Sequence, residues 1–209
     1  ISSNNLAAII MEVSRNYKPK NDFLKKIRSI TKKKNIVLIF DECTSGFRQN
    51  FGGLHRTFDV NPDIAVYGKA LGNGYAITAV VGTDDVMQYA NSSFISSTFW
   101  TERIGPTAAL KTLEIMEKTK SWEEITKKGI FFKKKILSLA NRHKINIKIQ
   151  GLNAMPKFEF NHKDKEFFTT YITQEMLKRK ILASNSIYFC INHEDKIIRK
   201  YLNYLDEDF

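Results

Sequence analysis

A lysine and an aspartate stand where two short apolar segments end. Asp41 directly follows the β-branched run at residues 36–40, with Glu42 beside it, and Lys69 follows the run at residues 64–67 after a single glycine. Continuous apolar runs of this length are typical of strands buried on both faces of a parallel sheet. Because the carboxyl ends of parallel strands meet at one edge of an open α/β sheet, the two side chains are expected to share a crevice there.

Further motifs lie in a fixed order around Asp41 and Lys69. In order and spacing they resemble the class III (ω-amino acid type) aminotransferases, which depend on pyridoxal phosphate and include the glutamate-1-semialdehyde aminomutases. The resemblance implies a pyridoxal 5'-phosphate cofactor and small-molecule amine and carbonyl substrates. The matching residues are Phe40 and Glu42, then Gly46, Phe47 and Arg48, then Pro62 and Asp63, then Gly68, Gly72 and Gly74, and finally Thr101, Gly105 and Pro106.

The resemblance assigns catalytic roles to Lys69 and Asp41, and the chemistry explains both. A pyridoxal cofactor is an electron sink whose aldehyde the protein holds as a Schiff base. Lys69 is the expected Schiff-base lysine and proton carrier, and the turn of small residues after it is expected to desolvate its amine so that a proton can leave. Asp41 is the expected partner of the ring nitrogen, because a carboxylate favours the protonated, positively charged ring.

Three further residues are expected to bind the cofactor. Cys43 takes a position where the family packs an aliphatic side chain on the ring; a buried thiol packs as a small hydrophobe, and a reactive role stays open. Thr44 stands where transaminases tend to have Gln and aminomutases Met, so it leaves the subclass open. Thr101 is the expected ligand of the cofactor phosphate of the neighbouring subunit by ungapped counting from Gly105, whereas matching a Thr-Phe pair selects Thr98 instead.

The loop that contains Thr101 also implies an assembly. Because family members place each cofactor against a loop of the partner subunit, the resemblance implies a homodimer with residues 92–103 at its interface. The role of three other charged residues stays open: they either line or brace the site, or they are ordinary strand-end or loop residues. These are Glu12, Glu42 and Arg48.

The apolar patterns and the resemblance together predict an α/β chain with two domains. Residues 1–120 are expected to form the second half of the PLP-binding large domain of a type I PLP-transferase fold, a mostly parallel sheet flanked by helices. Residues 121–209 are expected to form a small α+β C-terminal domain. Strands are predicted at residues 6–11, 36–40, 64–67, 77–81, 145–149, 155–160 and 187–191. Helices are predicted from residue 23 to the lysine run before Asn35, at 84–89, from Pro106, from Ser121, at 165–180 and at 194–205.

The resemblance also indicates how much of a family member is present. A strand at residues 6–11 corresponds to the middle of the family's large domain, so the half upstream of it, with the loop that grips the cofactor phosphate, is expected to be absent. The expected function is transfer of an amino group between an amine donor and a carbonyl acceptor. Two alternatives stay open: an aminomutase that moves the amino group within one molecule, and an inactive truncated chain with a structural or dimerisation role.

Composition and charge argue against other classes of protein. The 209-residue chain has a net charge of +11, but its lysine clusters fall on segments with helical apolar spacing, which favours solvated helix faces over a nucleic-acid surface. Because no apolar run has the length of a membrane span and no signal peptide opens the chain, a cytoplasmic location is expected. No metal site is expected, since the histidines have no metal-ligand spacing, and surface positions are expected for all four: His55, His143, His162 and His193.

Overall fold

A computed structural model describes residues 6–209, so residues 1–5 of the first predicted domain lie outside the described residues. The chain divides into two compact units, one that runs to Lys120 and one from Ser121 to Phe209. Each unit has its own sheet.

The sheet of the first unit has four strands in the order of the sequence. The first three are parallel and the fourth is antiparallel to the third, which confirms the predicted mostly parallel α/β architecture. A helix connects the first two strands, as a parallel crossover requires. The strands are β1 (Ala8–Glu12), β2 (Val37–Asp41), β3 (Ile64–Tyr67) and β4 (Ala79–Gly82), and the helices are α1 (Phe23–Lys33), α2 (Asp84–Met87) and α3 (Ile104–Thr119).

Strand β2 is the buried centre of this unit, whereas β1 is not. The side chains of Leu38 and Phe40 are completely buried, and the residues between them are partly covered. The prediction of a buried strand at residues 6–11 is wrong in its burial, because Ile10 is 65% exposed. The reason lies in the strand order: β1 pairs only with β2 and forms the edge of the sheet.

An ion pair fixes α1 against the strands. Asp63, at the entrance to β3, accepts two hydrogen bonds of 2.6 Å from the Arg28 guanidinium on α1. It also accepts a 2.7 Å bond from the backbone N–H of Leu38 in β2. Partial burial by itself raises the pKa of Asp63, but the hydrogen bonds and the positive charge of Arg28 outweigh it and bring this pKa below its ordinary value. One carboxylate thus joins a helix and two strands.

The second unit is a small α+β unit built around aromatic side chains. Two antiparallel strands and three helices enclose Phe132, Phe158 and Met176, each almost completely buried. The prediction of a strand at residues 187–191 is wrong: the segment bonds to Ala154 and Pro156, just before β6, and the neighbouring Ser186 forms an isolated bridge to Lys157. The elements are α4 (Ser121–Arg142), β5 (Ile147–Gln150), β6 (Lys157–Phe160), α5 (Lys165–Lys178) and α6 (Asp195–Asp208).

Replacing Asp63 by Asn is expected to lower the free energy of unfolding by about 1–3 kcal/mol near neutral pH, because a charged acceptor of three hydrogen bonds is lost. The folded-state pKa of Asp63 is lowered. Its contribution is therefore complete above the ordinary pKa of an aspartate and is lost as the pH falls through the folded-state value. Chemical denaturation of both proteins over a pH series should show the stability difference shrinking toward acidic pH.

The matched control is Asp59→Asn, since Asp59 is exposed and lies close to Asp63 in the chain. We expect this control to change stability by less than about 0.5 kcal/mol. A stability difference for Asp63→Asn that stays constant with pH would assign the effect to packing and not to the charged carboxylate.

Candidate active site

Parallel pairing brings the ends of β2 and β3 together. Asp41, the last residue of β2, is in register with Val66 of β3. Lys69 follows β3 after Gly68, so both side chains belong to the carboxyl edge of the sheet, where open α/β sheets bind their ligands. The fold thus brings to one edge the two residues that the sequence singled out.

Lys69 opens a short 3₁₀ turn and is exposed. Its backbone φ is +45°, and its Nζ donates a 2.7 Å hydrogen bond to Thr44 Oγ1. The expected desolvation of its amine is wrong for this chain, because the turn from Lys69 to Leu71 buries Leu71 and leaves the lysine at the surface. Thr44 is therefore the residue that determines where the amine points.

The same turn depends on a glycine for close contact. A Cβ on Gly72 would lie 2.2 Å from the carbonyl oxygen of Tyr75 and 2.8 Å from a methyl group of Ile77. No side chain fits at that distance, so this position of the turn requires glycine. Close packing therefore explains Gly72, whereas Gly74 has open space around it and a φ of +107°.

Asp41 has one oxygen committed to the backbone. Its Oδ1 accepts a 2.9 Å hydrogen bond from the N–H of Cys43, which bends the chain directly after β2. Burial raises the pKa of the Cys43 thiol, and a hydrogen bond and the negative charge from Asp41 raise it further, while the positive charge of Lys69 partly opposes this. The thiol therefore lies within electrostatic reach of both predicted catalytic residues.

Gly68 lies next to the thiol of Cys43. A Cβ on Gly68 would lie 3.4 Å from the Cys43 sulfur and 3.3 Å from a methyl group of Thr78. The thiol thus packs against the backbone that immediately precedes Lys69. Asp41, Cys43, Thr44 and Lys69 form one continuous group of side chains at the sheet edge.

Glu42 is the residue whose role the sequence left open, and the structure places it in the core. Its side chain is 0% exposed and interacts with Ser45 Oγ and with the backbone N–H and Nδ1 of His55, the last two at 2.8 and 2.9 Å. The expectation of a surface position is wrong for His55, which is 7% exposed. The reason is that a buried carboxylate requires donors, and His55 supplies two of them.

The sequence indicates that one of the two adjacent carboxylates is buried, but not which residue binds it. Side chains alternate along an extended chain, so two adjacent carboxylates at a strand end point to opposite sides, and one of them points toward the core. Nothing in the spacing identifies His55 as its partner. The contact is made by a short 3₁₀ helix, Leu54–Phe58, that the apolar pattern does not indicate.

The loop before α3 is exposed along its length. Thr98 and Thr101 are both exposed, as are the aromatic side chains of Phe94 (96%) and Trp100 (67%). The Glu102 carboxylate accepts the first backbone N–H groups of α3, at 2.7 Å and 2.8 Å, and so fixes where the helix begins. The structure does not bring either threonine into the group around Lys69.

Within residues 6–209, each helix is too short or too polar to cross a membrane. The same residues hold no cluster of three or more His, Cys, Asp or Glu side chains arranged to bind a metal ion.

Two relatives of known name align with most of the chain. A 3-aminobutyryl-CoA aminotransferase of Cloacimonas acidaminovorans is 34% identical over 185 residues, which cover 85% of this chain and 44% of the relative. A glutamate-1-semialdehyde 2,1-aminomutase of Methanocaldococcus jannaschii is 30% identical over 209 residues, which cover 91% of this chain and 49% of the relative. The chain spans about half the length of the curated relatives it matches.

Solved structures show the same fold. The FumI protein of Sphingopyxis sp. MTA144, in its PLP internal aldimine form, superimposes with a TM-score of 0.89 at 22% identity, over 98% of this chain and 51% of that one. An omega-transaminase from Sphaerobacter thermophilus gives a TM-score of 0.85 at 18% identity, over 96% of this chain and 51% of that one.

A family model confirms what the motifs around Asp41 and Lys69 predict. The model described as aminotransferase class-III matches residues 1–192, which is most of the chain. This protein belongs to the class-III aminotransferase family.

Proposed function

We propose that this chain is part of an enzyme that uses pyridoxal 5'-phosphate to move an amino group from an amine donor to a carbonyl acceptor, both small molecules. The observation that carries the proposal is the arrangement at the sheet edge: the Lys69 amine bonds to Thr44 Oγ1, and Thr44 follows Asp41 closely in the same bend. Family membership and the names of the relatives support the same chemistry.

The residues present suit this cofactor. A primary amine at an accessible turn can capture an aldehyde, and Lys69 is exposed with its Nζ held in one direction. Asp41 is partly exposed, and a carboxylate has more acceptor sites than its bond from the Cys43 N–H uses, so it could accept a hydrogen bond from a protonated ring nitrogen. Cys43 offers a compact, partly buried surface between them.

When bound, pyridoxal phosphate supplies the electron sink that stabilises a carbanion next to the transferred amino group. Lys69 would hold the cofactor through its amine and, once free, would carry a proton at Nζ. Asp41 would favour the protonated ring nitrogen through its negative charge. Proton transfer by a positioned side chain typically contributes about 10²–10⁴-fold to a rate, which is the contribution proposed for Lys69.

The remaining predicted cofactor residues have supporting roles. Cys43 would pack beside the cofactor ring, and Thr44 orients the Lys69 amine through their 2.7 Å hydrogen bond. Thr101 lies in an exposed loop, which suits a residue that binds the cofactor phosphate of a partner subunit and not that of its own.

A second candidate function is an aminomutase that transfers the amino group within one molecule. The relatives named glutamate-1-semialdehyde 2,1-aminomutase favour it, since the Methanocaldococcus jannaschii protein aligns with 91% of this chain. Isotope labelling distinguishes the two: an aminomutase returns the amino group to the same carbon skeleton, whereas an aminotransferase passes it to a separate acceptor.

We also propose that the working enzyme is a homodimer. The loop at residues 92–103 exposes Phe94 and Trp100, with Phe99 (75%) between them and Ile104 (67%) directly after it. Apolar patches of this kind on a monomer mark association surfaces.

A cytoplasmic location is proposed as well. Cys43 and Cys190 are both free thiols, and a reducing compartment keeps thiols in that state.

In the full-length protein loaded with pyridoxal phosphate, borohydride is expected to fix a pyridoxyl group on the peptide that contains Lys69. Lys69→Ala should lose that label and lose turnover by at least about 10²–10⁴-fold, because covalent capture and proton transfer disappear together. Peptide mass spectrometry and steady-state kinetics are the measurements. Lys25→Ala, on the exposed face of α1, is the control and should keep both label and turnover. Label on another lysine would remove the basis of the proposal.

Asp41→Asn is expected to keep the fold and lose turnover by more than about tenfold, since an amide cannot balance the charge of a protonated ring. Circular dichroism checks the fold, and kcat/KM is the measurement, with Asp59→Asn as the control. Turnover retained within about threefold, roughly 0.7 kcal/mol on the activation scale, would give Asp41 a structural role only.

Replacing Phe94 and Trp100 together by Ser is expected to weaken dimerisation by at least about thirtyfold, because buried aromatic residues dominate interface energies. Analytical ultracentrifugation over a concentration series measures the dissociation constant. The control is Leu182→Ser, which removes an apolar side chain that is 95% exposed in the second unit. A wild-type protein that is monomeric at micromolar concentration while fully active would contradict the proposed dimer.

A further inference from the structure

We propose that the buried carboxylate of Glu42, held by His55 and Ser45, positions the catalytic pair by fixing the bend after β2 against the end of β3. Glu42 and His55 are positioning residues in this scheme, because neither lies in the group around the Lys69 amine. The inference rests on the roles proposed for Asp41 and Lys69.

The contacts of Glu42 are unusually complete for a side chain in a loop. It is 0% exposed, and its two oxygens are shared between Ser45 Oγ on one side and His55 on the other. His55 contributes both its backbone N–H at 2.8 Å and its ring Nδ1 at 2.9 Å. Burying a carboxylate is costly unless donors surround it, so these contacts hold Glu42 in one orientation.

Glu42 also joins the two strands that carry the catalytic residues. Its backbone N–H donates a 2.8 Å hydrogen bond to the carbonyl of Val66 in β3. The next residue, Tyr67, packs its ring on Phe47 with centroids 5.3 Å apart. Burial raises the pKa of the Tyr67 hydroxyl, and the negative charge of Glu42 raises it further. Tyr67 is followed by Gly68 and then Lys69.

The packing around this group leaves no room for a side chain at two neighbouring glycines. A Cβ on Gly53 would lie 2.4 Å from the His55 ring and 2.6 Å from the Tyr67 hydroxyl oxygen. A Cβ on Gly46 would lie 2.8 Å from both the Glu42 carbonyl oxygen and the Tyr67 ring. Because close-packed interiors transmit displacements, a shift of Glu42 must move the ends of both strands.

A displacement of Glu42 would also move the catalytic pair, because Glu42 is joined to Asp41 and Thr44 along the chain. Glu42 follows Asp41 directly, and Thr44, two residues further on, accepts the hydrogen bond from Lys69. Ser45, which contacts Glu42, is the neighbour of Thr44. Loosening the carboxylate therefore moves Thr44 and releases the Lys69 amine from its fixed direction.

His55→Leu and His55→Asn form the decisive pair of variants. Leu fills a similar volume without a donor, whereas the Asn amide nitrogen can donate from about the place of Nδ1. The milder variant Ser45→Ala removes the other side-chain donor to Glu42. It replaces His55→Leu in the test if that variant does not fold. Thermal denaturation of each protein reports its stability separately.

The first readout needs no cofactor. In the cofactor-free protein, the rate at which an amine-acylating reagent modifies Lys69 is measured by peptide mass spectrometry, with Lys25 on α1 as internal reference. We expect His55→Leu to raise the Lys69 rate at least about threefold, and His55→Asn to stay near wild type, with Lys25 unchanged throughout.

The second readout is capture of pyridoxal phosphate by the full-length protein, trapped with borohydride. His55→Leu should lower pyridoxyl label on Lys69 about tenfold at limiting cofactor, and His55→Asn should restore most of it. A lower melting temperature with unchanged acylation and capture at Lys69 would overturn the inference and leave the group a purely structural role. If wild-type protein captures no cofactor at Lys69, the proposed function fails, and the acylation rates still decide the positioning role.

Discussion

The parallel pairing of β2 with β3 is the constraint on which the rest of this structure depends. It aligns Asp41 with Val66, and the chain then needs only three further residues to reach Lys69. Asp63 secures the same pairing from the opposite end of β3, by binding Arg28 and the N–H of Leu38. Strand β3 is thus held at its entrance by an ion pair and at its exit by the contacts of Tyr67.

Two adjacent carboxylates have opposite environments because side chains alternate in direction along extended chain. Asp41 is partly exposed, and its Oδ1 accepts a hydrogen bond from the backbone N–H of Cys43. Glu42 is fully enclosed and is bound by Ser45 and His55. The first arrangement leaves a negative charge available for chemistry, and the second stabilises the bend that presents it.

Much of this arrangement follows from local sequence patterns. The runs at residues 36–40 and 64–67 form strands because they are continuous and apolar, and the family motifs place Asp41 and Lys69 at strand ends. The segment at residues 187–191 has the same apolar character but forms no strand, since its backbone makes only scattered bonds to Ala154 and Pro156. Phe189 is the buried side chain of this run, whereas Tyr188 and Ile191 are exposed, so an apolar run does not by itself specify either burial or a ladder of hydrogen bonds.

The contacts that sequence did not predict are those between residues distant in the chain. The burial of His55 depends on a carboxylate thirteen positions earlier, and neither residue lies in a periodic pattern that marks the contact. The exposure of Ile10 depends on strand order, which is a property of the whole sheet. The orientation of Lys69 depends on Thr44, a position at which the family resemblance leaves the subclass open.

The protonation state of the Cys43 thiol determines how reactive its sulfur is at this site. Thiolates add readily to aldehydes and react with oxidants, whereas protonated thiols do so slowly. Burial and the charge of Asp41 raise the pKa of Cys43, which keeps its sulfur protonated at neutral pH. The same carboxylate that is proposed to face a positively charged ring therefore also keeps the nearest sulfur in its less nucleophilic form.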